Sequence, residues 1–244
     1  MVLRSRLLAA AGFAHGFSTR TGGVSVGPFA SLNLGRSVGD DAEAVDENLR
    51  RFKAAANLDR ARLYDVCQVH GASVRRVLGV EDPATVADEM ADALVAAAPA
   101  VAVGIRTADC FPVLVADPGT GRALAIHAGW RGVVRGIVPC GLEALAPGPG
   151  AIAAIGPGIG PCCFEVGADV AAEISSATTD DVVVPGSRLR IDLRRAIRAQ
   201  LTASGVTNVE DVGTCTFCDR DAFFSFRRDG KRSGRMLSAI AAPR

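Results

Sequence analysis

The chain has 244 residues, enough for one large domain with a substantial core, and no Ser/Gly linker or charge block divides it. Basic and acidic residues nearly balance, 27 against 26, so a net charge of +1 gives no electrostatic reason to expect nucleic acid or an anionic membrane as partner. The longest apolar run, Leu94 to Ile105, is broken by Pro99 and falls far short of the roughly 20 residues a membrane helix needs.

At the N-terminus, Arg4 and Arg6 precede LLAAAGFA. That run is minimal for a signal peptide, closes at His15 and leads into strand-like sequence, so it is read as the first strand. The segment HGFSTRTGG, residues 15–23, passes into a Gly-rich turn, and Asn33 to Gly35 form another short polar loop; such loops carry function more often than packing. Behind Asp40 or Asp41 as N-cap, Ala44, Val45, Leu49, Phe52 and Ala56 recur at helical spacing, which predicts a helix of about four turns from Asp40 to Asn57. Leu63 to Leu78 reads as a bent strand or a strand pair broken at Gly71. A polar loop with a short helix, Ala87 to Leu94, leads to a buried strand, Val101 to Arg106.

Phe111 to Asp117 and Arg122 to Ala128 flank the turn PGTG, residues 118–121, and predict a β-hairpin. After the GWRG turn a helix is expected from Val133 to Leu145, placing free backbone N–H groups near the end of the hairpin. Ala151 to Ile155 is a further buried strand. Helices at Ala168 to Ser176 and Leu193 to Ser204 flank a strand near Val182 to Val184. This irregular alternation predicts an α+β fold, mixed β-sheets flanked by helices, in a single domain over residues 1–244.

If Asp117 pairs with Arg122, residue numbers across the hairpin sum to 239, so His127 faces Pro112 and shares a face with Cys110 one diagonal step away. Such neighbours lie roughly 7–8 Å apart at Cα, which lets a thiolate and an imidazole converge on one ion or substrate atom. The chain holds only three histidines, and His70 and His127 both fall at strand ends. With Cys110 they make a two-His, one-Cys set suited to a catalytic zinc with an open fourth position. Two other readings of these residues stay open: a blue-copper site with Met90 or Met236 as axial ligand, and a Cys110 nucleophile with His127 as its base, oriented by Asp109. A multi-copper centre would need many more imidazoles.

Seven cysteines without a repeating framework suit free thiols in a reducing cytoplasm. Cys215 and Cys218 have redox or zinc spacing but no second pair, and adjacent Cys162 and Cys163 are poorly suited to share one ion, so all four read as structural thiols. His15 reads as structural too. Near the C-terminus, Phe223, Phe224 and Phe226 interleave with Arg227, Arg228, Arg232 and Arg235, which suits a flat ring stacked on an aromatic with its anion held by guanidinium.

Taken in order, HGFSTRTGG (15–23), QVHG (68–71), TADCFPVLVAD (107–117), HAGWRG (127–132), IGPGIGPCCFEVG (155–167) and FFSFRRDG (223–230) resemble the laccase-domain, YfiH-like family, formerly called polyphenol oxidases. The resemblance implies an α+β fold and a zinc-dependent purine nucleoside phosphorylase acting on adenosine, inosine, guanosine and methylthioadenosine, with adenosine deaminase activity. It puts the metal ligands on His70, Cys110 and His127, with zinc expected ahead of copper. The implied partners are a small-molecule nucleoside and phosphate, in the cytoplasm, with neither nucleic acid nor membrane.

On that reading, zinc activates a water for attack at C6 of adenosine, and phosphate attacks the ribose C1′. Cys110, His127 and Asp109 are the catalytic candidates, Asp109 as proton shuttle. Arg20, Arg131 and Arg227 are the phosphate candidates, while Asn33 and Phe226 complete the substrate set, Phe226 stacking on the purine. Phe226 stands where the family commonly has Tyr, and Cys218 is additional. The alternatives are a cysteine-dependent amide hydrolase, an enzyme editing peptidoglycan precursors, and a copper oxidase or electron carrier.

Overall fold

The computed structural model describes residues 2–178 and 181–243. Along the chain run strands β1 (Val2–Leu3), β2 (His15–Ser18), β3 (Arg62–Tyr64), β4 (Val74–Val77), β5 (Ala93–Ala96), β6 (Val101–Thr107), β7 (Phe111–Asp117), β8 (Arg122–Ala128), β9 (Ile152–Ile155), β10 (Val183–Val184), β11 (Arg190–Ile191), β12 (Asn208–Asp211) and β13 (Met236–Ala241). The helices are α1 (Arg6–Ala10), α2 (Ala42–Ala55), α3 (Pro83–Ala87), α4 (Trp130–Val134), α5 (Ile137–Leu145), α6 (Ala168–Ser176), α7 (Leu193–Ala203) and α8 (Phe226–Asp229).

Two mixed sheets form the centre. One has the order β12-β9-β7-β8-β5-β4, the other β1-β2-β13-β6-β3, and β10 and β11 make a small ribbon. The inner strands, β7 and β8 among them, are buried on both faces, and their period of two assigns alternate residues to different cores. From β7 and β8, Phe111, Val113, Val115, Leu124 and Ile126 face a core built with Val138 and Leu142 of α5 and Ile197 and Leu201 of α7. Their neighbours Leu114, Ala116, Ala123 and Ala125 face the other way, against Val103, Ile105 and Ile240 of the second sheet. The far side of that sheet, Ala102, Leu237 and Ala239, packs on Phe52 of α2 and on Ala56, which caps it. The layers are thus helices, six-stranded sheet, five-stranded sheet, helix, and the α+β expectation of mixed sheets flanked by helices holds.

The hairpin register is the one expected: Asp117 pairs with Arg122 and Pro112 with His127. Asp41 caps α2, its side chain accepting from the Ala44 N–H. Other expectations need correction. The run after Arg6 is not a strand but the helix α1, because Leu and Ala are strong helix formers, the Ser5 hydroxyl accepts from the Leu8 N–H, and Gly12 at φ 81° turns the chain out. The 63–78 segment is, of the two forms expected, the broken pair, and its halves enter different sheets, β3 beside β6 and β4 beside β5. The short helix near Ala87 lies earlier, capped by Asp82 with Pro83 in its first turn, and Ala93 and Leu94 are strand. The expected helix after the hairpin is split into α4 and α5 at Gly136, whose φ of 81° favours a residue without a Cβ. Among the described residues no helix is long and apolar enough to cross a membrane.

Candidate active site

The break between β3 and β4 carries His70 from one sheet toward the other, with a left-handed backbone (φ 58°). Cys110 lies just ahead of β7 and His127 is the penultimate residue of β8. The three side chains each offer one donor atom, and these atoms lie within 4.8 Å of one another. Cys110 Sγ is 3.8 Å from His70 Nε2, and the two imidazoles meet edge to face with centroids 4.7 Å apart. Close approach is permitted by Gly129: a Cβ there would sit 2.9 Å from both Cys110 Sγ and His70 Cδ2.

Asp92, to which no sequence motif points, ties the two histidines together. Fully buried just ahead of β5, its carboxylate accepts from the backbone N–H groups of Val69 (3.2 Å), His70 (2.9 Å) and Gly71 (2.6 Å), and from His127 Nδ1 at 2.7 Å. The last bond puts the Nδ1 proton toward Asp92 and leaves Nε2 to face Cys110, as a metal-ligating imidazole requires. Burial opposes ionisation of Asp92, but these hydrogen bonds and the His127 charge hold its carboxyl below the ordinary range.

Burial also disfavours a Cys110 thiolate. The His127 charge and hydrogen bonds from both imidazoles outweigh it and bring the thiol down to about 6. For His127 burial favours the neutral ring, yet Cys110 and Asp92 raise it to about 9. Each group thus favours the charged form of the other, giving the sulfur anionic character among nitrogen donors. This donor set fits zinc or a similarly soft divalent ion.

These residues line a cavity of about 770 Å³, within the usual range for a small-molecule site. Five arginines, Arg36, Arg106, Arg131, Arg227 and Arg235, line it against three aspartates, Asp65, Asp88 and Asp109. Arg36 and Arg106 are engaged by Asp65 at 3.1 and 2.9 Å. The Arg131 guanidinium lies over the Trp130 ring at 4.6 Å and, among the described residues, makes no hydrogen bond to protein. Arg227 donates through Nη1 to Glu165 O and Arg235 through Nη1 to Ser233 O, and Arg235 lies 5.7 Å from the Phe226 centroid. Phe226 is about half exposed, at 48%.

Arg131, Phe226 and Arg227 are thus brought to the cavity, while Arg20 and Asn33 are not among its lining residues. Arg20 lines a separate cavity of about 570 Å³ and spends its N–H groups on Ala30 O and Arg220 O. Asn33 is fully buried; its amide donates to Asp40 and its carbonyl accepts from the N–H groups of Gly35 and Arg235. Asp109 lines the cavity, but its carboxylate accepts from Thr216 Oγ1 (2.7 Å), Ser225 Oγ (3.0 Å) and the Arg227 N–H (2.6 Å). The helix beginning at Trp130 has only five residues, so few aligned peptide dipoles reach the cavity and the guanidinium groups carry its positive field. His15 packs as expected of a structural residue, with Nδ1 on Phe13 O and Nε2 accepting from the Ser5 N–H. Met90 is 71% exposed and Met236 is buried against Phe223 and Phe224; neither lines the cavity.

Residues 14–243 match the family model described as multi-copper polyphenol oxidoreductase laccase. A purine nucleoside phosphorylase of Pseudomonas aeruginosa is 42% identical, over 91% of this chain and 90% of its own length. One from Deinococcus radiodurans is also 42% identical, over 94% and 89%, and the purine nucleoside phosphorylase YfiH of Escherichia coli is 37% identical, over 91% of each. The crystal structure of YlmD from Geobacillus stearothermophilus superposes with a TM-score of 0.87 at 33% identity, over 98% of this chain and 94% of that one.

Proposed function

Because the chain belongs to the multi-copper polyphenol oxidoreductase laccase family, and its relatives at 37–42% identity carry the name purine nucleoside phosphorylase, we propose that it is itself a zinc-dependent purine nucleoside phosphorylase. Its substrates are adenosine, inosine, guanosine and methylthioadenosine, and it also deaminates adenosine. The observation that carries this reading is the convergence of His70, Cys110 and His127 on one wall of an arginine-lined cavity large enough for a nucleoside and phosphate.

Those three side chains would hold the metal, which supplies Lewis acidity and, for deamination, hydroxide at neutral pH. The chain's own groups do the rest. Arg131, whose guanidinium has no competing protein acceptor among the described residues, and Arg227 bind phosphate and hold it for attack on C1′, where the bond to the purine breaks. Phe226, exposed at the mouth, stacks on the purine. Asp92 fixes the His127 tautomer. Asp109 is a positioning residue, fastening the loop of Thr216 and the start of α8 beside Cys110.

Metal analysis paired with an assay of adenosine plus phosphate tests the reading. Zinc-dependent formation of adenine and inosine is expected. A fully loaded protein that forms neither product would overturn it and send the search to peptidoglycan precursors.

One observation favours a second reading. Cys110, His127 and Asp92 follow one another as thiol, imidazole and carboxylate, the arrangement of a cysteine-dependent amide hydrolase. Amide hydrolysis that survives complete chelation would select it.

A further inference from the structure

A second group of soft ligands stands apart from this cavity. Cys162 and Cys163 follow β9, Cys215 and Cys218 follow β12, and one sulfur from each lies within 4.8 Å of all the others. Cys162 Sγ is 3.6 Å and Cys163 Sγ 3.3 Å from Cys218 Sγ. Zinc with four sulfurs at about 2.3 Å has tetrahedral edges of about 3.8 Å, so the four need little movement to share one ion. The CxxC turn therefore does have a second pair, contrary to expectation, and adjacent Cys162 and Cys163 do reach a common point.

Their surroundings fit a metal thiolate. Cys215 Sγ accepts from the Gly160 N–H at 3.1 Å, a bond that stabilises charge on sulfur. Four thiolates on a divalent ion carry a net charge of −2, and Arg190 lies alongside, donating through Nη1 to Cys162 O at 3.2 Å. Its Nε is buried and, among the described residues, has no acceptor.

We propose that Cys162, Cys163, Cys215 and Cys218 form a second, closed zinc site that clamps the loop after β9 to the loop after β12. All four positions are filled by protein, so this is a structural ion with no place for substrate. Its effect reaches the cavity through backbone. The first loop supplies Ile159, whose N–H donates to Asp109 O, and Phe164; the second supplies Thr216, which donates to the Asp109 carboxylate. The clamp thus braces the wall behind Cys110.

Metal content of protein purified under reducing conditions tests this independently of catalysis. About two zinc per chain are expected in the unaltered protein. Cys110→Ala, which removes a ligand of the first centre, should retain about one, with an all-sulfur shell at about 2.3 Å by X-ray absorption. Adding Cys218→Ser, at an exposed position, should release that ion. Chelation of Cys110→Ala itself should lower its Tm, which keeps the test valid where the double variant does not fold. A Cys110→Ala protein without zinc, a shell containing nitrogen, or disulfides joining these cysteines in freshly reduced protein would overturn the proposal.

Discussion

Asp92 stands directly across the β5–β8 ladder from His127, one step beyond the Ala93–Ile126 pair, and its carboxylate accepts the Nδ1–H at 2.7 Å. A single buried acid thus sets the tautomer of one proposed ligand and, through the Val69, His70 and Gly71 N–H groups, the backbone of another. Replacing it with Asn keeps the shape but removes the charge. Partners of this kind are worth about 10–100-fold in metal affinity, so Asp92→Asn should weaken zinc binding by that factor in competition with a chromophoric chelator. Asp92→Ala should also destabilise the fold, by about 1–3 kcal/mol for each donor left unpaired. Unaltered zinc affinity in Asp92→Asn would remove Asp92 from this role.

Gly129 makes the second prediction. It lies where the hairpin register places a partner for Cys110, and a Cβ at 2.9 Å from both the sulfur and the His70 ring must push one of them aside. Gly129→Ala should therefore lose the zinc of this centre and turnover together, keeping the ion proposed for the four cysteines, while denaturant unfolding of the metal-free protein shifts by no more than the usual overpacking cost of about 1–3 kcal/mol. Full zinc occupancy in this variant would show that the site has slack the geometry denies.

What is legible in the sequence follows from the range of the contacts. The β7–β8 register can be read because a four-residue turn fixes it locally, and that register alone sets Cys110 and His127 side by side. Asp92 cannot, because its alignment with His127 depends on β5 pairing with a strand about thirty residues away, for which no turn supplies a register. The four-cysteine group is hidden for the same reason: the loops meet only because β12 lies parallel to β9, Asn208 opposite Ile152. Arg20 and Asn33 stand in motifs that match the family, but polar loop residues brace loops as readily as they bind ligands, and a sequence does not say where their donors go.

The cavity arginines can be separated by kinetics. Arg131 has no hydrogen-bond acceptor in the protein among the described residues, so beyond its contact with the Trp130 ring its removal costs what it gives to phosphate. A charge-assisted hydrogen bond of about 1.5–3 kcal/mol corresponds to a rise of roughly 10–100-fold in phosphate KM for Arg131→Ala. Deamination of adenosine, which consumes no phosphate, should be nearly unchanged. Arg20→Ala should instead lower stability without a selective phosphate effect, since its N–H groups hold Ala30 and Arg220. An equal loss of both activities in Arg131→Ala would assign this residue to the nucleoside or to the fold.

His15 gives a pH dependence separate from the site. Its ring is buried and neutral, Nδ1–H on Phe13 O and Nε2 accepting from the Ser5 N–H, so protonation would turn an acceptor against a donor. Burial holds its folded pKa below the ordinary value near 6.5, despite the opposing hydrogen bond to Phe13. Below that value the unfolded chain binds the proton and the folded chain does not. The contribution to stability is therefore complete above about 6.5 and lost as the pH falls toward the folded pKa, at up to about 1.4 kcal/mol per pH unit. His15→Gln, which retains an acceptor but does not titrate, should be less stable than the unaltered protein at pH 7.5, and the gap should narrow by pH 5. Urea midpoints at the two pH values measure it, and a constant gap would mean that His15 is protonated equally in both states.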